Sequence, residues 1–399
     1  MKIGLVTGEY PPMEGGVGAF TQELAKAFNE AGNEVHVITS RLSRPKVEDR
    51  SLWDIHEPYD IGYAHLHARI GRWWWSAMST IAQIVTRYDL DIVNVQYQAA
   101  AFDMKVPAIN FLPWRLRDMT KTVVTFHDLR VPYLFPRAGR LREKLVRRLA
   151  QSADGIIVTN LEDYDILAQT DRTRELLIQL PIGSNIKAID PSQVDIERVR
   201  HTLLSQEDGV LLGYFGFLNE TKGAVVLVKS LARLPHRFEL VFIGGQTGSS
   251  DSSSNKAFLE TLRELVDELN LQERVHWSGF LDEADVSTYL FASDMIVMPY
   301  RDGASLRRGT LMAALVHGRP IITTIPTTQI DQLIHGENVW MTRVDDPEEL
   351  SDAIVYLAAD PDLRSKLGTR AKETSAQFTW DEIAAKTVAF YEEIIASSS

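Results

Sequence analysis

The sequence predicts an α/β protein built from two doubly wound domains, each a parallel sheet covered by helices. Three observations carry this reading. Short β-branched runs alternate with helical periods along all 399 residues, which is the pattern of repeated βαβ units. The runs are almost entirely apolar, as strands buried on both faces must be. The series then restarts after Pro181-Ile182-Gly183-Ser184-Asn185, whose proline and glycine punctuate the chain. The length fits, because a domain commonly holds roughly 100–200 residues.

The elements follow in order. A strand at 2–7 leads through a Pro/Gly loop into a helix on which Phe20, Leu24 and Phe28 recur every four residues. That spacing gives one apolar stripe to lay on a sheet. Glu34 to Thr39 is the second strand, and further strands are expected at 91–95, 121–126 and 155–159. The second series places strands at 210–215, 238–243, 274–277, 295–298, 320–324 and 338–341. The boundary is set near 181–192, giving domains 1–185 and 186–379. A last helix near 380–396 carries Trp380, Ile383, Ala384, Val388, Tyr391 and Ile394 on one face, and composition does not choose which domain it covers. The polar stretch Gly244 to Ser254 reads as a loop, or as a lid over a ligand.

Composition excludes several classes. Hydrophobic residues are 45% and charged residues 24% of the chain, close to the globular average, so neither disorder nor a fibrous repeat is expected. A net charge of −12 argues against broad nucleic-acid binding, which needs a basic surface. The absence of cysteine removes disulfides, thiolate metal sites and a cysteine nucleophile. The first residues read as a strand and turn rather than a signal peptide. No run reaches the ~18 apolar residues of a spanning helix. The expectation is a cytoplasmic protein.

Ligands of open parallel sheets bind at the carboxyl ends of strands, so the strand-to-helix turns matter most. The first, Gly8 to Gly18, is glycine-rich but not G-x-G-x-x-G, and Pro11 and Pro12 have no N–H for a pyrophosphate. Strand two ends in Thr39-Ser40-Arg41 with no acid for a ribose, so a dehydrogenase reading fails. Gly15-Gly16 before a helix start could seat an anion, or form a plain tight turn. The second turn, Phe126-His127-Asp128, puts a histidine at the crevice, able to donate to a substrate hydroxyl or move a proton; a structural histidine is the alternative.

The third turn runs from Gly216 to Gly223, where Lys222 can meet a phosphate as a point charge although no P-loop is present. The fourth, Arg301 to Thr310, offers Ser305 as an N-cap with an apolar helix behind it. Arg307 and Arg308 then fall in a first turn, where the macrodipole repels cations. A bound polyanion would reverse that sign; a solvated pair is the alternative.

Weaker features complete the reading. Asp89-Leu90-Asp91 is a solvated turn rather than a metal motif. His65 and His67 share one strand face without a nameable third ligand. Trp73-Trp74-Trp75 reads as helix packing in preference to a membrane or sugar platform. The stretch 137–148 holds Arg137, Arg140, Arg142, Lys144, Arg147 and Arg148 against the single acid Glu143, for a solvated face or for contact with anionic lipid or a phosphorylated acceptor.

These four turns, in this order, resemble the family-4 retaining glycosyltransferases of the GT-B fold. Val275 to Gly279, Ser293-Asp294, the helix closed by Gly318-x-Pro320, and Phe378-Thr379-Trp380 before the last helix add to the likeness. The resemblance implies two doubly wound Rossmann-like domains facing a cleft, with the last helix (380–397) completing the first domain. It implies a nucleotide-diphospho-sugar donor on the second domain and a hydroxyl-bearing acceptor (sugar, lipid or polysaccharide) on the first. Cofactor and metal are then not expected, and any peripheral membrane contact would use 137–148. By that analogy Gly15 and Gly16 lie near the β-phosphate, His127 contacts the donor sugar and Lys222 the diphosphate, while Ser305, Arg307 and Arg308 complete the donor site. The family's usual arginine is Phe217 here, and its two glutamates eight positions apart are Ser305 and Ala313. Arg307 and Arg308 would replace the lost cation, and Asp302 in part a lost carboxylate. The alternatives are a GT-B-fold binding or scaffold protein without catalysis, or a sugar-nucleotide epimerase or hydrolase.

Overall fold

A computed structural model describes residues 1–13, 15–45, 57–103, 105–129, 139, 141–169, 176–189, 195–244 and 252–397. The chain divides into two compact units: Met1–Gly183 with Trp380–Ser399, and Ser184–Thr379. The division therefore falls between 183 and 184, against 185 and 186 on the sequence reading.

In the first unit the strands are β1 (Lys2–Thr7), β2 (Glu34–Ser40), β3 (Tyr59–Asp60), β4 (His65–Ile70), β5 (Ile92–Tyr97), β6 (Lys121–Phe126), β7 (Gly155–Val158) and β8 (Leu177–Gln179). Their order is β3-β4-β2-β1-β5-β6-β7-β8. All neighbours are parallel except β3 with β4. β3 and β8 have only two and three residues, too few to leave a period in the sequence, which is why they were not expected.

The helix Gly16–Glu30 buries Phe20, Leu24 and Phe28 as its spacing predicts. The final helix, Trp380–Ala396, packs on the same unit. Trp380 meets the Phe20 ring at 5.1 Å, Tyr391 lies 5.9 Å from Phe28, and Asn94 Nδ2 on β5 donates to the Tyr391 hydroxyl at 2.5 Å. Burying a large side chain such as Tyr391 is worth about 1.5–3 kcal/mol, and its hydroxyl is satisfied rather than stranded. That contact, not the amphipathic pattern alone, fixes where the helix goes.

The second unit holds β9 (Val210–Phe215), β10 (Phe238–Ile243), β11 (Val275–Trp277), β12 (Met295–Met298), β13 (Ile321–Thr324) and β14 (Trp340–Thr342), in the order β11-β10-β9-β12-β13-β14 and parallel throughout. Of the polar stretch 244–254, residues 245–251 lie outside the described residues. Ser252, Ser253 and Ser254 are not loop but the start of the helix Ser252–Glu268.

Each sheet reverses its winding at one point, between β1 and β5 in the first unit and between β9 and β12 in the second. Loops that leave adjacent strands in opposite directions open a crevice there. Among the described residues no helix is long and apolar enough to cross a membrane.

Candidate functional site

The second unit's reversal point is formed by the turns after β9 and β12. They touch backbone to backbone: the Arg301 amide donates to the Thr221 carbonyl at 2.9 Å. Gly223 makes this approach possible. Its φ is +77°, and a Cβ there would fall 1.8 Å from the Pro299 carbonyl oxygen. Asn219 Oδ1 accepts from the Thr221 amide and hydroxyl at 3.1 and 2.9 Å, closing the turn that carries Lys222. Any residue with a side chain at 223 would push these two turns apart.

Tyr300, directly after β12, organises the charges. Its ring is fully buried, its hydroxyl pairs with Thr310 Oγ1 at 2.9 Å, and two cations lie over its face: the Arg308 guanidinium at 4.0 Å and the Lys222 ammonium at 5.8 Å. Such contacts hold about 2 kcal/mol each when desolvated. Arg308 pairs with Asp302, while its Nε is buried without a hydrogen-bond partner. Arg301 is occupied elsewhere, between Glu220 at 3.2 Å and Asp345 at 2.8 Å. Burial pushes the Lys222 ammonium down to about 8, and Arg308 pushes the same way against a smaller pull from Asp302. Two cations thus share one carboxylate in a sheltered place, an arrangement that an anion would relieve.

The sequence reading of the fourth turn needs three corrections. Ser305 is not the N-cap. The helix is Gly309–Val316 with Arg308 at its cap position, and the Ser305 hydroxyl instead accepts from the Arg307 amide at 3.3 Å. The turn Ser305-Leu306-Arg307-Arg308 closes on itself through Arg308 N to Ser305 O at 3.2 Å, which delays the helix start. The arginine pair is also split. Arg308 turns onto Tyr300, while Arg307 is exposed. Asp302 is not a spare carboxylate, because Arg308 holds it. Ala313 is fully buried in that helix, and Phe217, where a family arginine would stand, is 46% exposed.

The first unit's reversal point is different in charge. Gly15 is the N-cap of the helix Gly16–Glu30. The anion seat that Gly15-Gly16 suggested is occupied from within the chain: Glu9 Oε1 accepts from the Val17 and Gly18 amides at 3.1 and 3.3 Å. A Cβ on Gly15 would fall 2.1 Å from that oxygen, so the glycine makes room for it. Burial raises the Glu9 pKa although the two amides lower it. A motif search passes over Glu9 because it precedes the two prolines and looks solvated.

His127 follows β6. Its Nε2 lies 2.9 Å from Gln96 Oε1 and its ring meets Phe20 edge-on at 4.7 Å. Burial lowers it to about 3, so the imidazole is neutral at ordinary pH. With Gln96 Oε1 accepting, Nδ1 is a bare acceptor. Turning the Gln96 amide over, which would also redirect its unpartnered Nε2, makes Nδ1 the donor.

Beside these, an open, shallow pocket of about 370 Å³ lies at the carboxyl ends of β1, β2, β4 and β5. Gly8 packs so closely on Ala101 that a Cβ would fall 2.1 Å from its carbonyl oxygen. Arg72, Trp74 and Asp103 line the opening: the Arg72 guanidinium lies 5.6 Å from the Trp74 ring, whose Nε1 donates to Asp103 at 2.8 Å. The three tryptophans therefore divide. Trp73 is buried against Phe102, as helix packing predicts, but Trp74 and Trp75 are 45% and 53% exposed.

The remaining candidates fall as follows. Asp89 is the left-handed cap of the helix Trp75–Tyr88, and Asp91 accepts from the Lys2 amide at 2.7 Å, so the D-x-D stretch is a turn. Arg137, Arg140 and the Arg142 side chain lie outside the described residues. Lys144, Arg147 and Arg148 occupy the exposed side of the helix Leu141–Ser152, with Leu145, Val146 and Leu149 inward.

Residues 195–374 match glycosyl transferases group 1, and residues 14–177 match glycosyltransferase family 4, so the two matches together span most of the chain. The D-inositol 3-phosphate glycosyltransferase of Corynebacterium jeikeium is 24% identical over 426 residues, covering 99% of this chain and 97% of that protein. Sucrose-phosphate synthase from Thermosynechococcus elongatus shares the fold with a TM-score of 0.73 at 20% identity, over 100% of both chains. Anabaena HepE, solved in complex with UDP, has a TM-score of 0.73 at 18% identity, over 98% of this chain and 100% of that one.

Proposed function

The chain belongs to the family-4 glycosyltransferases of the GT-B fold, an enzyme family, and from that premise we propose that it is a retaining transferase using a nucleotide-diphospho-sugar. The donor diphosphate binds the second unit at Lys222 and Arg308, beside the start of the helix Gly309–Val316. The observation that carries this is the pair of cations over Tyr300 sharing one carboxylate. In the reaction the acceptor hydroxyl oxygen bonds to the anomeric carbon, whose bond to the diphosphate breaks with its electron pair. The hydroxyl proton leaves with the diphosphate. Fixed cations stabilise that developing charge without reorganisation, so the step is assigned to Lys222 and Arg308 without a metal or other cofactor.

The acceptor binds the first unit, in the pocket of Arg72, Trp74 and Asp103. A tryptophan face suits a sugar or cyclitol ring, Asp103 a hydroxyl, and Arg72 a phosphate on the acceptor. The inositol-phosphate relative agrees with that chemistry. His127 is assigned to a donor-sugar hydroxyl as a neutral imidazole. Lys144, Arg147 and Arg148, on the exposed side of the helix Leu141–Ser152, are assigned to anionic lipid when the acceptor is membrane-borne.

Calorimetric titration with UDP, GDP, ADP and dTDP, followed by turnover of the matching sugar nucleotides with inositol phosphates, tests the reading. One nucleotide should bind without added metal, and its sugar nucleotide should be consumed only with an acceptor. Consumption without an acceptor would mean hydrolysis or epimerisation instead.

A further inference from the structure

The structure supplies partners for the two histidines on β4 that the sequence left without a third ligand. β2 and β4 are parallel neighbours with His36 opposite His65. Glu34 and His36 therefore project on the same side as His65 and His67. His36 and His67 are fully buried, Glu34 is exposed and His65 half-buried. His36 Nε2 lies 2.9 Å from Glu34 Oε1, and His36 Nδ1 lies 3.0 Å from His67 Nε2. The rings of His36 and His65 are 5.0 Å apart, and Tyr88 covers His36 and His67 at 4.9 Å from each.

We propose that Glu34, His36 and His65 form a binding site for one divalent transition-metal ion of the zinc class. One donor atom from each lies within 4.8 Å of the other two. An ion about 2.0–2.2 Å from every donor needs that triangle to contract by an ångström or so. His36 is held in place by His67, so the exposed Glu34, already 2.9 Å from His36, and the half-buried His65 are the side chains that move. Two imidazoles and a carboxylate are a ligand set that suits zinc and leaves a coordination position open.

His67 supplies the outer partner that a metal-bound histidine requires. Without metal, His36 Nε2–H donates to Glu34 and its Nδ1 accepts from His67 Nε2–H. When Nε2 takes the ion, its proton is replaced through the relay: Nδ1 gains the His67 Nε2 proton, and His67 Nδ1 gains the displaced one. No proton is lost, and both imidazoles stay neutral. The site lies at the amino ends of the strands, about 20 Å of strand away from the carboxyl-end turns. Its role is to tie the outer strands together, and it is independent of the donor reading.

The test is titration of the untagged full chain with Co²⁺, followed by visible absorption and displacement by Zn²⁺. One saturable equivalent is expected, together with a rise in melting temperature on adding Zn²⁺. His65→Ala and Glu34→Gln should each weaken binding by at least about tenfold, the loss that even an outer-shell change produces. Glu34 is exposed and His65 half-buried, so circular dichroism should be unchanged. No saturable absorption, or wild-type affinity in both variants, would overturn the proposal and leave the cluster a hydrogen-bonded imidazole chain.

Discussion

The two reversal points are built alike and charged oppositely. In the first unit the helix amides of Val17 and Gly18 are met by a carboxylate of the chain itself, Glu9. In the second, Lys222 and Arg308 converge on Tyr300 and share only Asp302. The first turn is complete without a ligand, whereas the second is short of negative charge. Glycine-rich turns of similar appearance therefore do not announce similar function. What differs is whether the fold provides the counter-charge.

The largest expected effect is at that imbalance. Replacing Lys222 and Arg308 together by alanine should weaken nucleotide binding by more than about 100-fold, since each charged hydrogen bond contributes about 1.5–3 kcal/mol. Calorimetry reads this directly. Next is the acid sensitivity of the first unit. The unfolded chain protonates His127 near 6.5, while the folded protein does not until about 3. Stability is therefore retained above 6.5 and falls as pH drops below it, by at most about 2 kcal/mol at pH 5. His127→Gln should reduce the fall in melting temperature between pH 7 and 5 without abolishing it, because buried His67 and His317 are likewise held down, to about 3 and about 4.

Smaller effects separate the turns further. Because Lys222 titrates near 8, nucleotide binding should decline above that pH, approaching tenfold per unit, and Lys222→Arg should remove the decline. Glu9→Ala should lower stability by about 1 kcal/mol, as loss of a helix cap does, without affecting nucleotide affinity in the second unit. Arg307→Ala should change binding less than about threefold, in keeping with exposed ion pairs; an effect as large as that of Arg308→Ala would break the distinction drawn between the two arginines.

Much of the fold was legible because it rests on periodicity. β6, β9, β10 and β12 match their expected ranges, since continuous apolar runs bounded by turn residues leave few choices. The final helix was placed by the resemblance and not by its stripe, which shows an apolar face but not what it meets; Phe20, Phe28 and Asn94 are what it meets. Lys222, Arg308 and His127, read from chain-local signals, stand at the strand-end turns where the sequence put them. Those missed act through space. Tyr300 looks like an ordinary strand end, Gln96 like a buried strand residue, and Glu9 like a solvated acid. His36 and His65 are 29 positions apart and become neighbours only through the β2–β4 register. Ser305 misled because a serine before an apolar helix is a good cap, while two further residues of turn intervened.

The most direct test of the central claim is calorimetric titration of UDP, and of the other three nucleoside diphosphates, into wild-type protein and Arg308→Ala without added metal. The account predicts saturable binding of one nucleotide to the wild type and at least about a tenfold loss in the variant. Equal binding by both proteins, or binding of none, would contradict the assignment of the Lys222–Tyr300–Arg308 cluster to the donor diphosphate.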